Sequence, residues 1–247
     1  MTGLLTPRLY RLTIAQTEPW IQRQLDRVKF GFGATLPRMI LTRALAALML
    51  ALSMQTTPEP GFTSLFNGKD FTGWKIGGPA ETFTVQDGAI VARGTPSMIY
   101  YDGPFRNHAF RNFQLKVDVM TKPGSNGGIW IMTDYQDRVW PAKGFEIQVN
   151  NSHTDPVRTG SLYHVQDVMN DSPAKDDVWC TLDILAQGDT IVIRVDDKEV
   201  VRWTQPSDWN GSRDFRLRRV GPGTIGFQGH DPNSVVSYKN IRIKPLD

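Results

Sequence analysis

The sequence predicts an all-β protein whose antiparallel strands form a two-sheet sandwich or jelly roll. From Phe62 onward, short segments of alternating apolar and polar residues are separated by regular turn signals. No long segment after residue 54 has the 3.6-residue period of an amphipathic helix, so helical crossovers between parallel strands are not expected. The predicted domain spans 58–247, which is long enough to bury a core between two sheets.

The strands follow from residue patterns taken in chain order. Asp87-Gly88 joins two β segments within 82–93 and is a strong hairpin signal. The segment 112–121 alternates cleanly, which predicts a strand with one buried face. Further strands are predicted at 127–133, 144–150, three within 179–203, 223–230 and 234–246.

The first 57 residues are predicted to be a leader with a signal peptide at about 39–53. Arg38 and Arg43 flank the start of the apolar run Ala44 to Leu52, which is too short to span a bilayer but suits the core of a signal peptide. Small residues stand at the −3 and −1 positions of a possible cleavage after Ser53. This pattern predicts a periplasmic or secreted protein, with Met39 as a possible true start. The alternative is an N-terminal helical extension.

Charge and cysteine content exclude some classes of function. Without residues 1–53, the chain has 21 basic and 23 acidic residues, so the basic excess belongs to the leader and no nucleic-acid partner is expected. Cys180 is the only cysteine, which rules out an intramolecular disulfide. The mature chain has no predicted membrane span, and its oligomeric state is not indicated.

One strand has an unusual polar face. In 144–150, side-chain alternation directs Glu146, Gln148 and Asn150 to one side and three apolar residues to the other. A carboxylate with two amides is either a solvated surface or the floor of a binding site. Both interpretations stay open from spacing alone.

The preceding strand favours a binding site. Asn126 begins this strand, and Trp130 and Met132 are predicted to share one of its faces. An exposed indole beside amides and a carboxylate suits a sugar-binding cleft, because the ring stacks on sugar C–H groups while the amides orient hydroxyls.

Three histidines lie at predicted strand ends or in the adjoining loops, where sites are usually built. These are His153, His164 and His230, whereas His108 lies in a plain loop. His153 and Asp155 form a weak metal-binding pattern, so a divalent metal is possible but no cofactor is certain. No nucleophile-elbow or phosphate-loop motif is present in the sequence.

An ordered set of motifs resembles the 3-keto-disaccharide hydrolase family. The motifs are "LFNGKDFTGW", the Asn-Gly-Gly-Ile stretch, "GFEIQ", "GSLY", "GTIGFQGH" and "YKNIRIKPL", and the resemblance spans about 61–247. It implies a concanavalin-A-like sandwich and an exported bacterial enzyme that acts on carbohydrate. Unlike many relatives, this chain has Met132 in place of an Arg.

The resemblance also implies candidate site residues. Glu146 and His230 would be the acid/base pair, with exchangeable roles, and His153 is a third catalytic candidate. A ketone at C3 of the sugar acidifies the C2 proton, so a single positioned carboxylate can act as base and the glycosidic bond can break by elimination. The residues expected to hold the sugar are Gln148, Asn126, Trp130, Tyr163, Gln228 and Asn150.

Two alternatives stay open. The chain could be a glycan-binding module of the same fold without catalysis. It could also be a conventional β-glucanase-like glycosidase, which needs a second carboxylate about 5–9.5 Å from the first. Asp134 and Asp155 are the loop candidates for that second carboxylate.

Overall fold

The computed structural model describes residues 59–137, 140–169, 172–212 and 215–246. The predicted leader and signal peptide lie outside these residues. The described strands, in chain order, are β1 (Thr63–Ser64), β2 (Trp74–Gly77), β3 (Phe83–Gln86), β4 (Ala89–Ala92), β5 (Ser97–Tyr101), β6 (Phe113–Thr121), β7 (Asn126–Thr133), β8 (Phe145–Asn150), β9 (Cys180–Gln187), β10 (Thr190–Val195), β11 (Lys198–Thr204), β12 (Thr224–Gly229) and β13 (Val236–Pro245). The helical elements in this part of the chain are two short 3-10 turns, Ala80–Thr82 and Phe105–His108.

The strands form two antiparallel sheets, as the sequence predicted. The larger sheet has the order β11-β10-β9-β6-β13-β4-β3, and β1 also pairs with β13. The hairpin predicted at Asp87-Gly88 is confirmed, because β3 and β4 pair directly across it. The smaller sheet has the order β2-β5-β12-β7-β8. Its β5 has five buried residues and no clean alternation, so the periodicity did not indicate it.

The core fills the space between the sheets. In β6, residues alternate between buried and half-buried, and the predicted face of Phe113, Leu115, Val117 and Val119 lies in the core. In β8, the apolar side chains, such as Ile147, also belong to this core. The polar face of β8 therefore points away from the core, to the opposite side of the smaller sheet.

A bulge near the end of β7 changes the predicted face of one residue. The pairing of β12 with β7 shifts between Thr224 and Gly226, and Met132 adopts a positive φ of 55°. Met132 is fully buried in the main core, not beside Trp130. The prediction that both side chains share one face was wrong, because the extra residue of a bulge breaks the alternation.

The single cysteine of the chain, Cys180, lies in the core. Cys180 is buried, and burial raises the pKa of its thiol to about 12. A buried thiol with a raised pKa is chemically unreactive, so Cys180 serves as part of the core. Among the residues that the structure describes, no helix has the length and apolar character needed to cross a bilayer.

Candidate active site

The floor of the site is formed by paired residues of β7 and β8. Trp130 lies opposite Glu146, and Gly128 lies opposite Gln148. A Cβ atom at Gly128 would come within 2.5 Å of Oε1 of Glu146. Glycine at this position therefore leaves room for the carboxylate to lie across the neighbouring strand.

A loop segment hydrogen-bonds along the free edge of β8. The backbone N–H of Tyr163 donates to the carbonyl of Glu146 at 2.9 Å, and the N–H of Gln148 donates to the carbonyl of Ser161 at 3.1 Å. These bonds cover the sheet edge and place the Tyr163 ring beside the carboxylate.

A cavity of about 560 Å³ opens over this floor, and we call it the inner cavity. This volume includes the open mouth of the cavity. Five predicted sugar-binding residues and two predicted catalytic residues meet here, together with two aromatic side chains from loops. The lining residues are Asn126, Trp130, Trp140, Glu146, Gln148, Tyr163, Phe215, Gln228 and His230.

Glu146 is a buried carboxyl group, with 6% of its surface exposed. Its Oε1 accepts a hydrogen bond from Nε2 of Gln228 at 3.2 Å. Burial raises the pKa of Glu146 to about 7, and the positive charge of Arg218 offsets part of that rise. The group can therefore accept or donate a proton near neutral pH. Because the face is buried, the interpretation of it as a solvated surface was wrong.

Arg218 supplies a buried positive charge behind the carboxylate. Its Nη2 lies 4.0 Å from Oε2 of Glu146, and its guanidinium carbon lies 3.7 Å from the centre of the Phe215 ring. Its Nη1 donates to the carbonyl oxygen of Tyr163. Only 1% of Arg218 is exposed, so the ion pair is shielded from solvent.

His230 is oriented by the residue that follows it. Its Nδ1 lies 2.8 Å from Oδ2 of Asp231, and Nδ2 of Asn126 lies 3.3 Å from its Nε2. Partial burial acts to raise the pKa of Asp231, but hydrogen bonds from Ser234, His230 and the Asn233 backbone outweigh it and lower this pKa to about 2. An ionised carboxylate at Nδ1 leaves Nε2 as the nitrogen that exchanges protons with a ligand.

Several buried polar atoms around the inner cavity have no hydrogen-bond partner in the protein. Two acceptor oxygens and one indole N–H belong to lining residues and can bind the oxygens of a sugar, whereas two nitrogens belong to Arg218, which lies behind Glu146 and does not line the cavity. The atoms are Oδ1 of Asn126, Oε1 of Gln228, Nε1 of Trp130, and Nε and Nη2 of Arg218.

Trp130 differs from the exposed indole that the sequence predicted. Only 2% of its surface is accessible, and it packs with Met98 and Tyr100 in a second small cluster. The exposed aromatic ring of the site is Trp140, which is 42% exposed and lies 5.7 Å from the His230 ring. Trp130 therefore lies in the buried floor of the cavity, and the exposed aromatic platform comes from a loop.

A second depression adjoins the inner cavity, and we call it the outer cavity. It has a volume of about 1030 Å³ including its open mouth and shares Asn126, Tyr163 and His230 with the inner cavity. His153 lines the outer cavity and not the inner one, and its ring centre lies 5.6 Å from that of His230. The hydroxyl of Tyr163 donates to Oδ2 of Asp155 at 3.1 Å.

The structure does not bring every candidate to a cavity. Asn150 is fully buried, and its Nδ2 donates to the carbonyls of Asp155 and Val157 at 2.9 and 2.8 Å. Its Oδ1 accepts from the N–H of His153 at 2.8 Å, so Asn150 holds the loop and contacts neither cavity. Asp134 pairs with Lys143 at 2.9 Å and also lines neither cavity, so it does not serve as a second carboxylate there.

Three residues form a possible cation site at the boundary of the cavities. Ligand atoms of His153, His230 and Asp231 all lie within 4.8 Å of one another. Both oxygens of Asp231 already accept hydrogen bonds, including one at 2.6 Å from the Ser234 hydroxyl. The donor set of two imidazoles and a carboxylate fits a divalent cation, which would compete with the bond from His230 to Asp231.

Comparison with known proteins identifies the family of the chain. Residues 61–244 match the family model described as the 3-keto-alpha-glucoside-1,2-lyase-like domain. The chain belongs to this family. A 3-keto-disaccharide hydrolase of Bacteroides thetaiotaomicron is 26% identical over 246 residues, covering 82% of this chain and 84% of that protein. The family match and this relative together support an enzyme of the hydrolase class, as the sequence predicted.

Solved structures confirm the concanavalin-A-like jelly-roll fold. A candidate glycosyl hydrolase from Parabacteroides distasonis superposes with a TM-score of 0.64 at 25% identity, over 76% of this chain and 94% of that chain. The carbohydrate-binding module CBM66 of Bacillus subtilis gives a TM-score of 0.52 at 15% identity, over 71% and 97% of the two chains. The second likeness concerns the fold alone, because enzymes and binding modules share it.

The sequence did not indicate four residues of the site. Three of them lie in loops that have no hydrophobic periodicity, so no sequence pattern predicted that they approach β8. They are Trp140, Phe215 and Arg218. A signal did exist for Asp231, because an Asp before Pro-Asn-Ser is a common turn residue. Its carboxylate caps that turn and reaches His230 at the same time.

Proposed function

We propose that this protein cleaves the glycosidic bond of 3-keto-glycosides by acid/base-assisted elimination, followed by addition of water. The observation that carries the proposal is one buried carboxyl group, Glu146, with a pKa of about 7 in a cavity shared with the oriented imidazole of His230. Glu146 is the only carboxylate among the described residues that line the inner cavity. A mechanism with two carboxylates on this floor is therefore less well supported.

The ketone makes a single base sufficient. A carbonyl at C3 acidifies the C2 proton, so a base can remove it and leave an enolate. Each general acid or base contributes roughly 10²–10⁴-fold to such a reaction. Preorganised donors at the developing oxyanion add about 3–4 kcal/mol. The unpartnered N–H group of Trp130, which lines the cavity, is suited to this second task.

The lining of the inner cavity is also suited to binding a sugar. Asn126 and Gln228 each present an unpartnered amide oxygen that can accept a hydroxyl proton. Gln148 and Tyr163 complete the polar wall, and the exposed Trp140 ring can cover an apolar sugar face. These contacts would hold the 3-keto ring beside Glu146, which lines the same cavity.

A divalent cation at His153, His230 and Asp231 is part of the proposal. Such an ion would supply Lewis-acid stabilisation of a sugar oxygen when bound.

We expect EDTA to lower turnover at least tenfold, which corresponds to about 1.4 kcal/mol of transition-state stabilisation. Addition of Mn²⁺ or Ca²⁺ should restore it. Full activity in protein shown to be metal-free by elemental analysis would exclude this ion and leave the His230–Asp231 pair acting alone.

The direct test of the reaction uses oxidised and unoxidised substrates. Purified protein is incubated with 3-keto-trehalose, 3-keto-sucrose and the parent disaccharides, and products are followed by chromatography. We expect release of monosaccharides from the 3-keto compounds only. Release from the parents at equal rates would favour the conventional glycosidase, and binding without cleavage would favour the glycan-binding module.

We also propose that the protein is exported. The support is the apolar run Ala44 to Leu52 with Arg38 and Arg43 at its start. Expression in a bacterial host, followed by mass spectrometry of the periplasmic fraction, should find a mature chain that begins at Met54. A chain that keeps residues 1–53 and stays in the cytoplasm would overturn the proposal.

A further inference from the structure

Arg218 lies behind Glu146, but few hydrogen bonds fix the position of its guanidinium. Nη2 is 4.0 Å from Oε2 of Glu146, which is an ion-pair distance and too long for a hydrogen bond. Nη1 donates to the carbonyl oxygen of Tyr163, whereas Nε and Nη2 have no hydrogen-bond partner among the described residues. The distance from the guanidinium to the carboxylate therefore depends on where the backbone of Arg218 is held.

That backbone is held by Trp209, which belongs to the same loop. The indole Nε1–H of Trp209 donates to the carbonyl oxygen of Arg218 at 2.6 Å. Arg219 makes the reciprocal contacts, because its Nη1 donates to the carbonyl oxygen of Trp209 at 2.6 Å and its Nη2 donates to Oδ1 of Asn210 at 2.9 Å. We call these three hydrogen bonds the Trp209–Arg219 clamp. Each side of the loop is thus bound by a side chain from the other side.

The clamp is anchored to both sheets. The Trp209 ring packs edge-on against Trp203 of β11 at 5.1 Å between ring centres, and Trp203 packs against Phe145 of β8 at 5.4 Å. In addition, the backbone N–H of Gly144 donates to the carbonyl oxygen of Leu217 at 3.3 Å. The loop is therefore fixed against the strand that carries the catalytic carboxyl group.

We propose that Trp209 is a positioning residue, which holds Arg218 at ion-pair distance from Glu146 and thereby sets the pH at which this carboxyl group can act as a base. Trp209 lines neither cavity, so it acts through Arg218 and not on the sugar. The catalytic meaning of this inference rests on the proposed function, but the control of Glu146 does not require a substrate.

The distance between the two charges decides the size of the effect. Glu146 and Arg218 are both buried, so solvent and salt screen their attraction little, and the attraction weakens as their separation grows. An opposite charge at this range lowers the pKa of a carboxyl group by about 1–3. Loss of the indole N–H leaves the Arg218 carbonyl without this bond and lets the guanidinium move away from the carboxylate. The pKa of Glu146 should then rise above its value of about 7.

Other titratable groups also surround the ion pair, and they come from different elements. Those near the carboxylate are Asp155, Tyr163, Tyr238 and His230, and Asp167 faces the guanidinium. The hydrogen bonds of the clamp join Trp209, Arg218, Arg219 and Asn210 and involve none of these groups. A change in the clamp is therefore expected to reach Glu146 through Arg218.

The first test measures Glu146 directly and needs no substrate. The protein is labelled with ¹³C at the glutamate carboxyl carbons, and the NMR signal that is absent from Glu146→Gln belongs to Glu146. Trp209→Phe keeps an aromatic ring but removes the N–H donor, so we expect it to raise the titration midpoint of this signal by about 0.5–1 pH unit. An unmoved midpoint would overturn the inference.

The matched control for this test is Trp179→Phe. Trp179 is also partly buried, its ring lies 3.9 Å from Nζ of Lys239, and it lines neither cavity. The control should leave the midpoint of the Glu146 signal unchanged. An equal rise in both variants would show that any loss of an indole has this effect, and it would also overturn the inference.

The second test asks whether Trp209 acts through Arg218. The measurement is the pH dependence of kcat/KM for 3-keto-trehalose, which reports the ionisation of the free enzyme. Trp209→Phe should move the acidic limb to higher pH, lower kcat/KM about threefold or more at pH 6, and leave the plateau at high pH within about twofold. In the Arg218→Met background, the same substitution should move the limb no further. A full further shift in that background would contradict action through Arg218.

The outcomes separate this inference from the proposed function. If the wild-type protein cleaves no 3-keto substrate but the midpoint rises in Trp209→Phe, the proposed function fails and the control of Glu146 stands. If the protein cleaves these substrates while the midpoint and the acidic limb stay unmoved, only the inference fails.

A second variant covers the case in which Trp209→Phe does not fold by circular dichroism. Arg219→Met removes the other half of the clamp at an exposed position, and it should raise the midpoint of the Glu146 signal. Arg216→Met removes an exposed positive charge from the same loop and should leave the midpoint unchanged. Equal midpoints in these two variants would overturn the inference.

Discussion

Glu146→Gln is expected to lower kcat for a 3-keto-glucoside by about 10²–10⁴-fold, because an amide has no basic oxygen to take the C2 proton. The fold should be kept, since glutamine has nearly the same shape and can still contact Gln228 across the cavity. The measurement is single-substrate kinetics at pH 7–8 together with circular dichroism.

The same variant is expected to be more stable than the wild type at high pH. Burial raises the pKa of Glu146 from 4.5 to about 7 in the folded protein. The folded state therefore binds more protons than the unfolded state between these values, so the contribution of Glu146 is fully present below about pH 4.5 and is lost as pH rises through 7. The loss amounts to about 3 kcal/mol at most, and Glu146→Gln should abolish this pH dependence.

A matched control is Glu199→Gln. Glu199 is paired with Arg202 at 2.7 Å on the surface of the larger sheet, far less buried than Glu146. The Glu199→Gln variant should keep wild-type turnover, and its free energy of unfolding should change by less than about 1 kcal/mol. Unchanged turnover in Glu146→Gln, or the same pH dependence of stability as the wild type, would contradict the role of Glu146.

Arg218→Met is expected to move the pH–activity profile to higher pH. The guanidinium lies 4.0 Å from the carboxylate and partly offsets the rise in pKa that burial causes. Without this charge the pKa of Glu146 rises further, so a larger fraction of the base is protonated at pH 7 and kcat falls. A merely structural role of Arg218 would lower stability without moving the profile.

The free energy of unfolding of the Arg218 variants is a second test of the ion pair between Arg218 and Glu146. Loss of one partner of a buried ion pair costs about 3–5 kcal/mol where the other stays charged. The cost should be smaller at pH 5, where Glu146 is protonated.

The double variant Glu146→Gln, Arg218→Met should be less destabilised than the sum of the single changes. Arg218→Lys, which keeps the charge, should restore most of the profile. Strict additivity and an unmoved profile would contradict the coupling.

Local patterns were sufficient to predict the strands that have one buried face. β6 and β8 alternate in sequence, and this predicted both the core side and the polar side that carries Glu146. They were not sufficient for the bulge in β7, because one extra residue changes the face of Met132 without a local signal. β5 was missed for the opposite reason, since it is buried on both faces and has no polar alternation.

The site was predictable where its residues lie on strands or carry a shared motif. Glu146, Gln148, Gln228 and His230 were identified and do line one cavity. Arg218 was not, because the sequence gives no indication of which loop residue covers a sheet. Burial of Trp130 also depended on tertiary packing against Met98 and Tyr100, which no spacing rule reports.

The most direct test of the account is a kinetic comparison of a 3-keto-disaccharide carrying hydrogen or deuterium at C2 of the ketone-bearing ring. Removal of the C2 proton by Glu146 predicts slower turnover of the deuterated compound under single-turnover conditions, with deuterium lost from C2 in the released 3-keto sugar. A 3-keto sugar incubated without protein serves as the control for spontaneous exchange. Equal rates with deuterium fully retained at C2 would show that the glycosidic bond breaks without loss of that proton, and would contradict elimination.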